Sequence, residues 1–134
     1  MIYIDANIFI YALSYKKSDK NVILSQKFLT AVKKKKIEAC TNVLTWDEVF
    51  YHMKQHHGEV AAIIAGQMLL AFPNLCFVDS TKKIIDEAQK ICENFHTKPR
   101  DAIHSACSIG FCNGEIFSND GDFDNITGIN RHFN

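Results

Sequence analysis

Proline is scarce in this chain, at two positions in 134, and tryptophan occurs once. The six glycines nowhere cluster with proline or serine into a linker, and no repeat or low-complexity tract appears. With no break in composition, the length fits one domain, residues 1–134, better than two. Charge of neither sign is in excess, since 15 Lys or Arg balance 15 Asp or Glu. Overall charge therefore argues neither for nor against a nucleic-acid partner. Residues 1–57 carry nine Lys against five acids, and residues 58–134 carry six Lys or Arg against ten acids. A basic rim around an acidic pocket is compatible with that distribution. Long apolar runs are missing as well. The longest, Val60 to Phe72, is interrupted by Gly66 and Gln67 and falls short of the about 20 residues that span a bilayer. No membrane association is expected. The start, MIYIDANIFIYAL, has no basic opening and no small-residue cleavage site, and it contains Asp5 and Asn7. It reads as a strand entering a helix, not a signal peptide. Neither GxxxxGK nor GxGxxG occurs, which removes support for nucleotide hydrolysis. The five cysteines (Cys40, Cys76, Cys92, Cys107 and Cys112) are odd in number and form no CxxC pair. They read as reduced, buried thiols of a cytoplasmic protein, not as a disulfide framework or zinc site.

What is present is an alternation of short apolar runs and helical segments. Ile2–Ile4 predicts a strand, followed by helices over Ile8–Ser14 and Asn21–Lys36. In the second, Val22, Ile23, Phe28, Leu29 and Val32 follow a 3.6-residue period. Ile37–Thr41 predicts a strand, Thr45–His57 and Glu59–Ala71 helices, and Leu75–Val78 a third strand. Ser80 is the expected cap of a helix reaching Phe95, and Pro99 opens one that runs to Phe111 and ends at Asn113-Gly114. Glu115–Ser118 predicts a fourth strand, and the tail Ile126–Phe133 a short edge strand. Short continuous apolar strands alternating with helices predict an α/β fold: a mostly parallel sheet of four to five strands with helices on both faces, a three-layer α/β/α sandwich. In such folds ligands gather beyond the carboxyl ends of the strands.

Four acids occupy such places. Asp5 follows the first strand, and Glu48 lies in the first turn of the helix after the second. Asp101 lies in the first turn of the Pro99 helix, and Asp120 follows the fourth strand in Ser118-Asn119-Asp120-Gly121-Asp122-Phe123. Each has an ordinary structural explanation. Asp5 could simply end a strand, and Thr45-Trp46-Asp47-Glu48 has the pattern of a capping box. Asp101 could complement a helix dipole, while Asp120, Asp122 and Asp124 could form turns. The combination is what favours function. Carboxylates brought together repel one another, and a divalent cation relieves the repulsion. Oxygen ligands with no competing His/Cys set select magnesium or manganese over zinc. The 120–124 loop resembles a calcium loop only superficially, because its glycine is second, not sixth, and Arg131 stands at the twelfth position. A haloacid-dehalogenase-like phosphatase also opens with an acid after its first strand, but it needs a second Asp where this chain has Asn7.

With these motifs in order, the chain resembles the PIN-domain nucleases, and within them the compact ribonucleases of VapC type, the toxin halves of toxin–antitoxin pairs. The likeness rests on Ile4-Asp5-Ala6-Asn7, on Glu48-Val49-Phe50, on Pro99-Arg100-Asp101-Ala102-Ile103-His104, and on Ser118-Asn119-Asp120-Gly121-Asp122-Phe123. It implies a Rossmann-like sandwich, metal-dependent RNA cleavage, a homodimer and an antitoxin partner. Asp5, Glu48, Asp101 and Asp120 are then the catalytic acids, with magnesium or manganese as cofactor. Asp122 shares or replaces the role of Asp120, which leaves the fourth ligand open between them. Asn7 and Ser118 are expected to hydrogen-bond and aim a ligating carboxylate, and Arg100 and Lys98 to meet RNA at the cleft mouth. Lys33–Lys36 reads as a solvated helix end in preference to an RNA contact, His104 as a packed histidine in preference to a phosphate contact, and Trp46 as core or interface. No role is expected for His52, His56 or His57. A PIN nuclease of RNA processing and a non-catalytic RNA- or partner-binding PIN domain are the alternatives.

Overall fold

The computed structural model describes residues 1–134. Five parallel strands form one sheet in the order β3-β2-β1-β4-β5: β1 (Ile2–Ile4), β2 (Ala39–Asn42), β3 (Leu75–Val78), β4 (Glu115–Phe117) and β5 (Asn130–His132). Between them run α1 (Ala6–Ala12), α2 (Lys20–Lys33), α3 (Leu44–His57), α4 (Glu59–Leu70), α5 (Lys82–Phe95) and α6 (Pro99–Cys112). A short 3-10 helix, Gly121–Asn125, precedes β5.

The layering follows from the two-residue period of a strand, which sends neighbouring side chains to opposite faces. Tyr3, Cys40 and Ile116 point to one face and join Ile84, Ala88 and Ile91 of α5 with Ala102, Ala106 and Cys107 of α6. Ile4, Ala39 and Phe117 point to the other and join Ile8, Phe9, Leu29, Val32, Val49, Ala65 and Leu69, from α1 to α4. On that second face Phe28 stacks on Phe117 with ring centroids 3.7 Å apart. The predicted three-layer sandwich is therefore present. No helix is long and apolar enough to cross a membrane.

The chain builds β1, β2 and β3 outward in one direction, then returns to place β4 on the other side of β1. Such a reversal opens a crevice between the two central strands at their carboxyl ends. Asp5 follows one of those strands and Ser118 the other.

Several boundaries differ from the sequence reading, each for a local reason. Asp5 caps α1, so that helix starts at Ala6, and Asp19 caps α2 at Lys20. Thr81, not Ser80, caps α5 by accepting from the Ile84 amide at 3.3 Å. Ser80 instead donates to Asn42 Oδ1 at 2.9 Å. The second strand begins at Ala39, two residues later than expected, and extends to Asn42. Burial holds for Cys40, Cys107 and Cys112, whereas Cys76 is exposed on the edge strand β3 and Cys92 is half-buried. The tail forms the expected edge strand.

Gly114 carries the return from α6 into β4. Its φ is +82°, and a Cβ there would lie 1.8 Å from the Gly128 carbonyl oxygen. Backbone strain of this kind costs on the order of 1–3 kcal/mol before any clash. Gly114→Ala is expected to lower the unfolding free energy by at least about 2 kcal/mol, read as a reduced urea midpoint with unchanged slope.

Candidate metal centre

The crevice between β1 and β4 is organised by Asp5. The residue is only 7% exposed, yet both carboxylate oxygens are engaged. Oδ1 accepts from the Ala6 amide at 2.7 Å, and Oδ2 accepts from Ser118 Oγ at 2.7 Å. Ser118 Oγ in turn accepts from Asn7 Nδ2 at 3.2 Å and from the Asp120 amide at 3.0 Å. The seryl oxygen thus ties the end of β1, the start of α1 and the loop after β4 to one point. Asn7 reaches Asp5 through this hydroxyl rather than directly. Its own Oδ1 is buried and has no partner in the chain.

Glu48 enters from α3. Its helix starts at Leu44 and its N-cap, Val43, makes no side-chain bond, so the capping-box reading of Thr45 and Glu48 is corrected. Thr45 Oγ1 is instead paired with Thr41 Oγ1 at 2.7 Å. Glu48 is free to turn inward, where Oε2 lies 2.7 Å from His104 Nε2. The start of α3 is fixed by Asn42, whose Oδ1 accepts from the Leu44 amide at 2.8 Å and whose Nδ2 donates to the Val78 carbonyl at 2.9 Å.

His104 is the site residue that the sequence reading missed. It is fully buried on α6, with Nδ1 2.6 Å from Tyr3 Oη and Nε2 3.8 Å from Asp5 Oδ1. A signal for it did exist. His104 lies three residues after Asp101, and residues at that spacing share one helix face.

Asp101 lies in the first turn of α6, after Pro99 and Arg100. Its carboxyl is pushed up to about 6, first by burial and then by the charges of Asp120 and Asp5, with Glu48 adding to the rise and His104 opposing it. Asp101 and Asp5 therefore share one electrostatic basin. Burial likewise raises Asp5, against the pull of His104 and the Ser118 hydrogen bond. Asp120 caps the 3-10 helix by accepting from the Asp122 amide at 2.9 Å, so its turn-forming role and its place in the cluster coexist. Asp124 stands apart, bound through both oxygens to Arg131 at 2.8 Å.

Potential ligand atoms fall into two adjoining groups, Asp5–Glu48–His104 and Asp101–Asp120–Asp122. Within each group the atoms lie no more than 4.8 Å apart. All four predicted acids are brought together, with Asp122 at the exposed rim. Crowded carboxylates resist ionisation when desolvated, and a hard divalent cation is the partner such an oxygen-rich donor set fits. The predicted cationic contacts are less free than expected. Arg100 Nη2 lies 3.3 Å from Asp47 Oδ2 and Lys98 Nζ lies 4.0 Å from Asp122 Oδ2, all on exposed side chains. Such pairs are worth about 0–1 kcal/mol and exchange readily. Lys35 lines a groove with Met1, Ile37 and Asn74, at the end of β1 opposite Asp5. An apolar groove of about 380 Å³ between α1, α2 and α4, lined by Phe9, Leu29, Leu69 and Phe72, contains none of the acids.

The family model of the PIN domain matches residues 2–129. No curated protein matches the chain in sequence. Three solved structures share the fold at low identity. A toxin–antitoxin complex from Klebsiella pneumoniae is 20% identical, with 97% of this chain and 96% of that one covered and a TM-score of 0.68. VapBC2 from Rickettsia felis, bound to a DNA fragment from its promoter, is 16% identical, covers 98% of each chain and gives 0.75. VapC20 from Mycobacterium tuberculosis, a toxin that cleaves the sarcin–ricin loop, is 15% identical, covers 92% and 93%, and gives 0.76.

The charge crowding has a measurable consequence in metal-free protein. A raised carboxyl favours the folded state while protonated, so Asp101's contribution is fully present below its ordinary value of 3.8 and is lost as pH rises through about 6. In EDTA, Asp101→Asn is expected to melt higher than the unmodified chain at pH 7.5 and at the same temperature near pH 3.5. Thermal melts at the two pH values check this.

Proposed function

The chain belongs to the PIN domain family, and from that premise we propose that residues 1–134 form a single-domain, metal-dependent endoribonuclease, the toxin of a toxin–antitoxin pair. The observation that carries the reading is the meeting of Asp5, Glu48, Asp101 and Asp120 at the β1–β4 crevice, where burial and mutual repulsion raise Asp5 and Asp101. Magnesium and manganese are the cations this mostly oxygen donor set fits best. A bound divalent cation supplies Lewis-acid chemistry, neutralising charge that develops on a phosphodiester and making hydroxide available near neutral pH.

The chain's own residues would divide the remaining work. Asp5, held at both oxygens by Ala6 N–H and Ser118 O–H, would present a fixed ligand direction toward the crevice. Asp101 and Asp120 would hold the cation from the opposite wall. Asp122, more exposed, is the candidate to complete that wall when substrate is present. Glu48 keeps one oxygen on His104, which leaves its second oxygen to accept a proton from the attacking water. Arg100 and Lys98 would exchange their weak partners Asp47 and Asp122 for RNA phosphates, since phosphate contacts position a nucleic acid without reading its sequence.

Structures that share this fold support an antitoxin partner. The Klebsiella pneumoniae and Rickettsia felis structures are toxin–antitoxin assemblies, and the Mycobacterium tuberculosis one cleaves a structured RNA loop. An antitoxin and a second copy of the chain are therefore proposed as protein partners. The surface supports assembly. Val60, Ile63, Ile64, Met68 and Leu70 of α4 are 46–73% exposed, an apolar face of the kind that marks interaction sites.

The test is cleavage of mixed RNAs by purified protein with manganese, magnesium or EDTA. Asp5→Asn and Asp101→Asn are each expected to lower the rate by more than about a hundredfold, because loss of mere outer partners of ligands costs 10–100-fold. EDTA is expected to abolish cleavage. Cleavage that survives both EDTA and Asp5→Asn would remove the proposal.

A further inference from the structure

His104 is a fully buried titratable side chain among the acids, and the work set out for the carboxylates leaves it without a role. Its hydrogen bonds fix the place of one ring hydrogen. An ionised carboxylate can only accept, so the 2.7 Å contact between His104 Nε2 and Glu48 Oε2 requires the hydrogen to sit on Nε2. In a neutral ring Nδ1 then carries the lone pair and accepts from Tyr3 Oη at 2.6 Å. Tyr3 is itself fully buried in the central strand β1, and burial holds its hydroxyl firmly protonated. In that neutral form the chain Tyr3 O–H to Nδ1, Nε2–H to Glu48 matches each donor to one acceptor, and in the charged form Nδ1–H donates to Tyr3 Oη along the same contact. It begins in the central strand of the sheet, paired on both sides, and ends on a carboxylate that is otherwise fixed only by its helix.

We propose that His104 is a positioning residue for the metal centre: locked by Tyr3, it holds Glu48 Oε2 and thereby aims the other Glu48 oxygen at the site shared with Asp5. The inference rests on the reading of Asp5 and Glu48 as a divalent-cation centre. It assigns His104 no coordinate bond, because Nε2 carries the hydrogen given to Glu48. The geometry also fixes what a replacement must provide. A glutamine at 104 can offer an amide N–H near the position of Nε2, whereas leucine offers none. Phenylalanine at 3 keeps the ring in the core but releases the Nδ1 end, so the imidazole can turn.

The experiment is calorimetric titration of the metal-free full chain with manganese alone, followed by the electron spin-echo spectrum of the manganese-loaded protein. Unmodified chain, His104→Leu, His104→Gln and Tyr3→Phe are compared, with thermal melts as the folding control. His104→Leu is expected to weaken manganese binding about 10- to 100-fold, the usual cost of losing an outer partner. His104→Gln should recover most of that loss, and Tyr3→Phe should show a smaller loss of the same sign. The spin-echo spectrum should carry no imidazole nitrogen coupling. In RNA cleavage at saturating manganese, kcat should fall in His104→Leu while KM holds. If folded His104→Leu binds manganese as tightly as the unmodified chain, the positioning role is wrong. A nitrogen coupling would overturn it too, by making His104 a ligand. If His104→Leu does not fold, Tyr3→Phe decides: weaker manganese binding by folded Tyr3→Phe, with His104→Gln near the unmodified chain, supports the proposal, and unchanged affinity in Tyr3→Phe overturns it. An unmodified chain that binds no manganese removes the nuclease reading beneath it.

Discussion

The structure is governed by the cost of keeping several carboxylates close together with little water between them. Asp5 is almost wholly desolvated, and its neighbours Asp101 and Glu48 add repulsion to burial. Such an arrangement persists only if the surrounding backbone and hydrogen bonds leave the side chains no cheaper place to go. The Ala6 amide, Ser118 hydroxyl and His104 ring offset part of the cost for Asp5. A bound divalent cation would remove the remaining cost, so on the proposed reading the same physics that weakens the metal-free scaffold would make it a receptor for metal.

The fold delivers these groups through its ends rather than its middles. Strand β1 is buried on both sides by β2 and β4 and on both faces by helices, which makes the position of Asp5 insensitive to loop motion. Asp101 comes from the first turn of α6, and Glu48 from just past the first turn of α3, one residue beyond where the sequence reading placed it, on a helix joined to β2 by Val43 alone. Asn42 shows how tightly one such turn is specified, since its single amide group holds the ends of β2 and β3, Ser80 and the first amide of α3. Only the Asp120–Asp122 segment depends on a loop, and there Ser118 and the 3-10 turn restrict it. The centre therefore has one rigid wall and one adaptable rim.

Much of this was legible in the sequence, and the parts that were not share a cause. Asp5 stands out because an acid set directly between two apolar runs is unusual without a function, even though it can also end the strand. Asp101 is marked by Pro99, which fixes where its helix starts. The alternation of short apolar strands and helices is enough to give the sheet and its two helical layers. Glu48 was ambiguous because Thr45 lies three residues before it, and only the tertiary pairing of Thr45 with Thr41 decides against the local cap. Ser80 and Thr81 are equally good caps by composition, and the choice depends on Asn42, 38 residues away from Ser80. His104 shows the limit most clearly. Its partner Tyr3 is 101 residues distant and Glu48 is 56 residues distant, so its spacing from Asp101 gives a face but not the partners that set it apart from a packed helix histidine.

Charge distribution bears on how such a centre could receive RNA. The chain is neutral overall, and the conspicuous lysine run ends α2 at the far side of the sheet, where Lys35 neighbours Met1. Close to the acids, Arg100 and Lys98 already have carboxylate neighbours in Asp47 and Asp122. Without a cation the crevice thus presents excess negative charge to a polyanion, and Coulomb repulsion at close range opposes binding of substrate. With a dication held among Asp5, Asp101 and Asp120, the local sum moves by two charges, and the loosely paired rim cations gain phosphates as competing partners. Metal and RNA would therefore bind with positive coupling, each raising the affinity for the other by the same factor, as linkage requires. On this argument the cation would be as much the condition for substrate recognition as for bond cleavage, and the lack of net positive charge in the chain ceases to be a difficulty.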